Sequence, residues 1–366
     1  MKVLVSAFSS LYTDQRIEKV CRTLHNNGYS ISLIGNNWDG AGKMERPYPF
    51  FRISMTSTVL RYAYPEFQWK LYRELDRRVD KETVLLANDL DALLPNMLIA
   101  RKYKIPVVFD SHEIFTEMPA IQGRWTQKVW KFLEKKLVPG MKYMMTESES
   151  YAEWFTNTYG VNPVVVRNIP RVIKEPITLT ENDTKIILYQ GAINKSRGIP
   201  SVILAMHHIS GAKLIIAGDG PMRTEYEKLS ADEGLESKVH FTGRLHPDEL
   251  RKVTRTADVG VSVEENGGVS YLYSLPNKVA DYIQSRVPLV MINFPEMRKV
   301  YSQFKVGEMV DNHNPENLAA KIKTVLDKGR LYYQSELHKA AEALNWENEE
   351  DKIIGLFEKV QKENFR

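Results

Sequence analysis

The chain has 366 residues, which is more than one hydrophobic core usually holds, so two domains are expected. Hydrophobic residues make up 43% of it, and 50 basic residues against 46 acidic ones leave a formal net charge of +4. This composition excludes a disordered chain and argues against nucleic acid as a partner. The single cysteine, Cys21, cannot form an internal disulfide, which favours a reducing compartment.

The first apolar run, MKVLVSAF, predicts a strand rather than a signal peptide, because it turns polar at once. No window of the sequence holds the roughly 18 uninterrupted apolar residues of a membrane span. We therefore expect a cytoplasmic protein, either soluble or bound peripherally to the inner face of the cell membrane.

The first half of the chain alternates short apolar runs with amphipathic stretches. The runs KVLVSA, SISLIG, TVLLAN, PVVFD and YMMTES predict strands buried on both faces. The stretch DQRIEKVCRTLHNNG predicts a helix that ends at Gly28. Buried strands separated by helices are typical of a parallel sheet, so residues 1–170 are predicted to form a doubly wound, Rossmann-like domain.

A second series of the same kind follows a break in the pattern. Residues 171–184 lose both periodicities and predict a linker. The runs KIILYQG, AKLIIAG, KVHFTG, VGVSV and PLVMIN then predict the strands of a second Rossmann-like domain over residues 185–345. Residues 346–366 predict a helix that packs back on the first domain. The expected fold is α/β, with two domains facing each other across a cleft.

Residues that follow the strands of the second domain are the candidates for ligand binding, because ligands of open parallel sheets bind beyond the carboxyl ends of the strands. Gly191 and Gly198 bracket a loop with Lys195 and Arg197, and a helix is predicted to begin near Gly198. Glycines let backbone N–H groups approach an anion, and the cations add charge, so the loop suits a diphosphate. A solvated turn would carry the same residues, and the GDGP turn that follows the next strand is open to both interpretations.

Several alternative ligands find no support. The G-x-G-x-x-G pattern of dinucleotide enzymes is absent, since SAFSSLYTD lacks glycine and GDGPMR stops after two, and no Walker A pattern occurs. Asp89 and Asp91 resemble a metal-binding Asp-x-Asp pair, but we interpret Asp91 as a first-turn acid of a helix. No other His, Cys or carboxylate cluster has metal-ligand spacing, so no metal site is expected.

Taken together, the motifs resemble the retaining nucleotide-sugar glycosyltransferases of the GT-B fold, family 4 or group 1, of the bacterial surface-polysaccharide type. In the first domain they are TDQRIEKVCRTLHNNGY, LLANDLDAL and VVFDSHEIFTE. In the second they are LYQGAINKSRGI, IIAGDGP, VHFTGRLHPDEL and SLPNKVADYIQSRVPLV.

The resemblance implies a first domain that binds the acceptor and a second that binds the donor. The co-substrate would be a nucleotide-diphosphate sugar, with neither a cofactor nor a metal. The enzyme would move a hexosyl group to a hydroxyl of a glycan or lipid-linked acceptor, with retention of configuration, in surface polysaccharide biosynthesis.

The resemblance also assigns roles to single residues of the second domain. Asp281 matches the acid that binds the ribose hydroxyls, for which a carboxylate with two oxygens is suited. Lys195 and Arg197 match the position that stabilises the leaving diphosphate, and Thr242 to Leu245 match the wall that binds the base. The donor-site candidates are Gly191, Gly218, Gly220, Thr242, Gly243, Leu245, Ser274, Leu275, Pro276, Asn277, Lys278 and Asp281.

In the first domain, the FDSHE motif places Asp110, His112 and Glu113 on the acceptor side. An imidazole donates and accepts hydrogen bonds near neutral pH, so His112 is expected to bind the transferred sugar or to orient the acceptor hydroxyl. Asp14 and Arg16 are expected to cap and charge the first helix. The catalytic candidates are His112, Lys195, Arg197 and Asp281.

The sequence departs from the family pattern in one acidic pair. Many members carry two glutamates separated by seven residues, but Tyr273 stands eight positions before Asp281, and the second acid is Asp rather than Glu. Glu264 and Glu265 lie too far upstream to replace the first acid by simple register. Two alternatives therefore stay open: a sugar-nucleotide epimerase of the same fold, and a catalytically weak relative that binds nucleotide or glycan.

The stretch GRWTQKVWKFLEKKL predicts an amphipathic helix with one basic and one apolar face. A basic face beside tryptophan suits an anionic membrane surface or a lipid-diphosphate acceptor. A crossover helix of a soluble domain gives the same pattern, and the sequence does not choose between the two. The basic residues are Arg124, Lys128, Lys131 and Lys135, and the apolar ones are Trp125, Val129, Phe132 and Leu133.

Overall fold

The computed structural model describes residues 1–12, 14–38, 44–175, 177, 179 and 182–365. The chain divides into two compact units. Unit 1 consists of Met1–Asn168 together with Glu349–Arg366, and unit 2 of Ile169–Asn348. Each is an α/β unit built on a parallel sheet, as the alternation of apolar runs and amphipathic stretches predicts.

Within the described residues, unit 1 has a parallel sheet of seven strands. The strands are β1 (Lys2–Ser6), β2 (Ser30–Asn36), β3 (Phe50–Ile53), β4 (Thr83–Asn88), β5 (Val107–Ser111), β6 (Tyr143–Thr146) and β7 (Val164–Val165). Their order is β3-β2-β1-β4-β5-β6-β7. The helices are α1 (Gln15–Asn26), α2 (Leu60–Arg78), α3 (Asp89–Tyr103), α4 (Trp125–Leu137) and α5 (Glu149–Tyr159).

The elements of unit 1 follow from local chemistry. The central strand β1 buries Val3, Leu4 and Val5 completely, which the double-sided cover of a parallel sheet requires. Helix α1 begins where the Asp14 carboxylate accepts from the backbone N–H of Ile17 at 3.1 Å, so the predicted cap is confirmed. The five predicted strands are confirmed, and the edge strands β3 and β7 are additional.

Unit 2 has a parallel sheet of six strands within the described residues, in the order β10-β9-β8-β11-β12-β13. The strands are β8 (Lys185–Gln190), β9 (Ala212–Ala217), β10 (Val239–Gly243), β11 (Val259–Ser262), β12 (Leu289–Ile292) and β13 (Gly307–Val310). The helices are α6 (Ile199–Ala205), α7 (Arg223–Asp232), α8 (Pro247–Thr256), α9 (Val269–Leu272), α10 (Asn277–Gln284), α11 (Pro295–Gln303) and α12 (Pro315–Ala343). The first five of these strands were predicted, and β13 is additional.

Helix α13 (Glu347–Asn364) carries the chain from unit 2 back to unit 1. The ring of Phe357 lies 5.9 Å from that of Tyr29, and the Tyr143 hydroxyl donates to Glu363 at 2.6 Å. Among the described residues, none of the helices has both the length and the apolar character that a membrane crossing needs.

The segment predicted as a linker, 171–184, is assigned to unit 2. The backbone N–H of Ile173 donates to the Gln284 side chain at 3.3 Å, and the Asn182 amide donates to Asp258 at 2.8 Å. Irregular backbone without a hydrophobic period is thus held by side chains of the domain that it precedes.

Candidate functional site

The loop after β8 runs very close to neighbouring backbone. A Cβ atom on Gly198 would lie 1.9 Å from the carbonyl oxygen of Val263, and one on Gly218 would lie 1.8 Å from that of Gly191. Glycine is therefore required at both positions, because any side chain would displace backbone. Helix α6 begins at Ile199, directly after Gly198, as predicted.

A buried carboxylate organises the carboxyl ends of β8 and β11. Glu264 is fully buried and accepts from the Lys278 ammonium at 2.8 Å and from the Ser262 hydroxyl at 2.8 Å. A guanidinium nitrogen of Arg197 lies 4.0 Å from the same carboxylate. Burial opposes ionisation of Glu264, but Lys278 and then Arg197 outweigh it and hold its pKa below the usual value. We call Arg197, Glu264 and Lys278 the unit 2 cluster; it has two cations and one anion.

Both cations of the unit 2 cluster also rest on aromatic rings. The Lys278 ammonium lies 4.0 Å from the centre of the Tyr189 ring, and the Arg197 guanidinium lies 4.5 Å from that of Tyr271. Arg197 keeps 24% of its side chain exposed, while its Nε is buried and makes no hydrogen bond to any residue that the structure describes. The Lys278 ammonium also lies 4.0 Å from the place where a Cβ on Gly191 would stand. The cluster therefore borders the glycine loop that the sequence assigns to a diphosphate.

Lys195 lies apart from this cluster. Its side chain is exposed, and no ion pair joins it to Glu264 in the described part of the chain. Ser196 adopts a φ of +60°, a left-handed turn that directs Lys195 and Arg197 differently. The second cation beside Arg197 is Lys278, which lies 14 residues after Glu264 in sequence.

Asp281 is tied to the sheet through a chain of hydrogen bonds. Its carboxylate accepts from the side-chain Nε2 of Gln190 at 3.0 Å, and the side-chain Oε1 of Gln190 accepts from the Thr254 hydroxyl at 2.7 Å. The next residue, Tyr282, is buried and donates to the Leu188 carbonyl at 2.8 Å. These bonds fix α10 against the end of β8, while Asp281 remains partly exposed. Asp281 therefore lies beside the strand that leads into the glycine loop.

The other donor-site candidates of unit 2 lie at the ends of strands or in the segment that leads into α10. Gly218 and Gly220 come after β9, and the turn from Thr242 to Leu245 closes β10 at the edge of the sheet. In a parallel sheet these positions share one edge with the loop after β8. Ser274, Leu275 and Pro276 lead into α10, which begins at Asn277 and contains Lys278.

In unit 1, Arg16 and Asp110 form a buried ion pair. Arg16 donates to the two oxygens of Asp110 at 2.6 and 3.0 Å and to the Val166 carbonyl at 2.6 Å. The two side chains are 2% and 0% exposed. Burial disfavours the carboxylate, but Arg16 and then His112 lower the pKa of Asp110 to about 2. Arg16 was expected to charge α1, and the structure shows that its charge pairs with a buried acid of β5.

His112 lies between two acids. Its Nδ1 is 3.2 Å from Asp89, and its Nε2 is 3.2 Å from both Asp110 and the Asn88 side-chain oxygen. Its backbone N–H also donates to Asp89 at 2.9 Å. Burial disfavours the charged ring, but Asp89 and then Asp110 raise the pKa of His112 to about 10. At neutral pH the ring is therefore an imidazolium that donates from both nitrogens. A neutral ring that both donates and accepts was expected from the sequence.

Two acids that the sequence analysis did not select belong to this group. Asp89 opens α3 with a φ of +59°, and Glu147, just after β6, lies 3.9 Å from Arg16. Burial raises the pKa of both carboxyls despite the nearby cations. In the sequence, both acids could have been selected by their positions directly after predicted strands, Asp89 after β4 and Glu147 after β6. The unit 1 cluster consists of Arg16, Asp89, Asp110, His112 and Glu147.

Asp91 and Glu113 also lie near the ends of β4 and β5. Asp91 lies in the first turn of α3, as predicted, but it is only 7% exposed. Burial and then Asp89 raise the pKa of Asp91 well above its usual value, so it serves the helix dipole poorly. Glu113 accepts from the Ser111 hydroxyl through its backbone carbonyl at 2.8 Å. Among the described residues, no group of three or more His, Cys, Asp or Glu residues is arranged to hold a metal ion.

Two protein-family models match consecutive parts of this sequence. Residues 15–174 match Glycosyltransferase Family 4, and residues 172–343 match Glycosyl transferases group 1. The chain is a glycosyltransferase family 4 domain followed by a group 1 glycosyltransferase domain. The predicted family is thereby confirmed at this level.

Three known proteins show the likeness. The uncharacterized glycosyltransferase MJ1607 of Methanocaldococcus jannaschii is 30% identical over 48% of this chain and 45% of its own length. The alpha-monoglucosyldiacylglycerol synthase of Streptococcus pneumoniae is 24% identical over 59% of this chain and 54% of its own length. The chain thus spans about half the length of these curated relatives.

The third protein is HepE of Anabaena, solved in complex with UDP and glucose. It superposes with a TM-score of 0.76 and 13% identity over 98% of this chain and 100% of its own. This likeness shows the GT-B fold, as predicted.

Proposed function

We propose that this protein transfers a hexosyl group from a nucleotide-diphosphate sugar to a hydroxyl of a glycan or lipid-linked acceptor, with retention of configuration and without a metal. The observation that carries the proposal is the unit 2 cluster, where two cations share one ionised carboxylate beside a glycine loop. The UDP and glucose bound to HepE support a nucleotide sugar as donor. The name of the Streptococcus pneumoniae relative supports a lipid-linked acceptor, and the surface-polysaccharide role rests on the sequence resemblance.

The donor diphosphate would bind Arg197 and Lys278. When the bond from the anomeric carbon to the diphosphate oxygen breaks, negative charge grows on the leaving nucleotide and the sugar becomes oxocarbenium-like. Fixed cations at that oxygen lower the barrier without reorganising. Glu264 keeps both cations in place, and because it balances only one of the two charges, a net positive charge remains for the diphosphate.

The nucleoside would be held by the surroundings of α10. The Asp281 carboxylate, oriented by Gln190, would accept from the two vicinal ribose hydroxyls. The turn from Thr242 to Leu245 would contact the base through main-chain groups. These contacts position the donor and take no part in bond breaking.

Unit 1 would contribute the positive charge of His112 on the acceptor side, because both ring nitrogens already face acceptors of the protein, namely Asp89, Asp110 and Asn88. An imidazolium with a pKa of about 10 holds its proton at neutral pH, so it does not act as a base. The acceptor oxygen would attack the anomeric carbon on the face that the diphosphate leaves, and its proton would pass to the departing diphosphate oxygen. This transfer balances charge without a protein nucleophile.

A panel of nucleotide sugars tests the proposal. Thermal shift selects the donor that stabilises the protein, and that donor is then incubated in labelled form with candidate acceptors. Transfer of label to an acceptor with release of free nucleotide is expected. An isomerised donor would identify an epimerase, and binding without turnover would identify a binding relative, which Tyr273 at the position of the first family acid would explain. Either result would overturn the proposal.

A further inference from the structure

Helix α4 turns its apolar stripe toward solvent. Trp125, Val129 and Phe132 are 68%, 47% and 61% exposed. Their spacing of four and then three residues puts them on one line along the helix. A crossover helix of a soluble domain would bury such a stripe against its sheet. The exposure of these three residues therefore contradicts the interpretation that α4 is an ordinary crossover helix with its apolar face buried.

The opposite side of α4 fixes this orientation. Trp130 is buried, and its ring contacts those of Tyr64 and Phe115 at 5.2 and 4.9 Å. Glu134, also buried, accepts from the Thr116 hydroxyl at 2.7 Å and from the Tyr159 hydroxyl at 2.8 Å. Rotating the helix to bury the exposed stripe would remove these contacts and leave a buried carboxylate without partners. The packing of unit 1 therefore holds α4 in the orientation that exposes the apolar stripe.

The residues beside the stripe are basic. Lys128, Lys131, Lys135 and Lys136 are exposed, while Glu134, the single acid in the helix sequence, points inward. Lys131 pairs with Glu117 at 2.7 Å, so the other three lysines supply the net positive charge of this face. The ammonium of Lys136 lies 6.0 Å from the ring of Phe132, so charge and apolar surface alternate over short distances. A face of this kind complements a surface that is negatively charged outside and apolar beneath.

We propose that α4 docks the protein on an anionic phospholipid bilayer, with Trp125, Val129 and Phe132 inserted at the boundary of the acyl chains and the lysines beside lipid phosphates. The net positive charge of this face favours an anionic bilayer over a second copy of the chain, because a second copy would bring the same excess of lysines to the interface. The docking surface is separate from the unit 2 cluster, and the inference does not depend on the proposed transfer reaction.

Co-sedimentation of the whole protein with vesicles tests the inference in the absence of any sugar nucleotide. We expect binding to vesicles of phosphatidylcholine mixed with phosphatidylglycerol, weaker binding in about 0.5 M salt, and little binding to phosphatidylcholine alone. The double variant Trp125→Ser and Phe132→Ser should lower the vesicle affinity by about tenfold or more. The matched control changes Leu331 and Tyr332 to Ser, which are 77% and 66% exposed on α12, and should bind like the wild type.

A second pair of variants tests the charge. Lys128→Glu with Lys135→Glu should abolish vesicle binding at low salt, whereas Lys252→Glu with Lys323→Glu, two exposed lysines of unit 2, should bind like the wild type. Equal melting temperatures will show that all variants fold, since every changed side chain is exposed.

Three results would overturn the inference. The wild type could fail to sediment with anionic vesicles at low salt, or the Trp125 and Phe132 variant could bind vesicles normally. The stripe could instead bury itself in a dimer, seen as self-association without lipid that this variant abolishes. Because turnover is not measured, none of these outcomes is confused with failure of the proposed transfer.

Discussion

In unit 1, all three side-chain nitrogens of Arg16 donate to buried oxygens, and His112 lies between two acids. In unit 2, by contrast, the side chain of Arg197 is 24% exposed, and its buried Nε makes no hydrogen bond to any described residue. The unit 1 cluster has more acids than cations, and the unit 2 cluster has more cations than acids. The pair of Arg16 and Asp110 is buried, and breaking a buried ion pair is strongly destabilising. The excess positive charge of the unit 2 cluster is partly exposed at Arg197, so it would be available to an anion.

The largest effect is expected where the pairing is complete. Asp110→Asn removes the bidentate partner of the buried Arg16 and leaves the more distant Glu147, 3.9 Å away, as its counter-charge, so the free energy of unfolding at neutral pH should fall by about 3 to 5 kcal/mol. Urea denaturation measures this change. Asp14→Asn is the matched control, because asparagine caps α1 as well as aspartate and should leave stability nearly unchanged. A loss below about 1 kcal/mol in Asp110→Asn would contradict a structural role of the pair.

In unit 2, substitution of Arg197 should lower the activity more than the free energy of unfolding. Arg197→Ala should lower kcat by roughly a hundredfold or more, as the loss of a fixed charge-stabilising donor does. Lys252→Ala, an exposed change on α8, should leave kcat unaltered. Steady-state kinetics with the donor chosen from the panel provide both values. Normal turnover in Arg197→Ala would remove this residue from the mechanism.

A smaller effect is expected at the ribose position. Asp281→Asn keeps the shape of the side chain but loses the charge that strengthens its hydrogen bonds, so the KM for the donor should rise about tenfold while kcat changes little. The measurement is again kinetic, with donor concentration varied. A fall in kcat at unchanged KM would mean that Asp281 acts on the reacting bond instead.

The smallest effect concerns the proton on His112. Its folded pKa of about 10 lies above the ordinary value of 6.5, so its contribution to stability is complete below about pH 6.5 and is lost as the pH rises toward 10. Across that range the wild type should lose more unfolding free energy than His112→Gln, because glutamine has no proton to release. His208→Gln, an exposed change, should follow the wild type. Identical pH profiles for wild type and His112→Gln would show that the ring is not held charged.

The fold was readable because the strands are continuous apolar runs. The strands β3, β7 and β13 were missed because FFRI and GEMV carry charges within short runs and β7 has only two residues. Positions at or after the ends of predicted strands likewise selected Asp110, His112 and Arg197 as candidates, and the family resemblance selected Asp281. Spacing along the chain does not reveal which residues come into contact when a loop folds back.

Lys278 and Glu264 illustrate that limit. The sequence register excluded Glu264 as a substitute for a missing acid, yet α9 folds the intervening loop so that the start of α10 returns to the end of β11. The left-handed Ser196, which separates Lys195 from Arg197, has no sequence signature either. In α4, both Trp125 and Trp130 fit an inward face, and only the packing of Trp130 against Tyr64 decides between them.

Calorimetric titration of the selected nucleotide diphosphate into Lys278→Ala and Lys195→Ala tests the central claim most directly. We expect Lys278→Ala to weaken binding by about tenfold or more, because it removes a buried cation from the unit 2 cluster, and Lys195→Ala to have a much smaller effect. Wild-type affinity in Lys278→Ala together with a large loss in Lys195→Ala would contradict it.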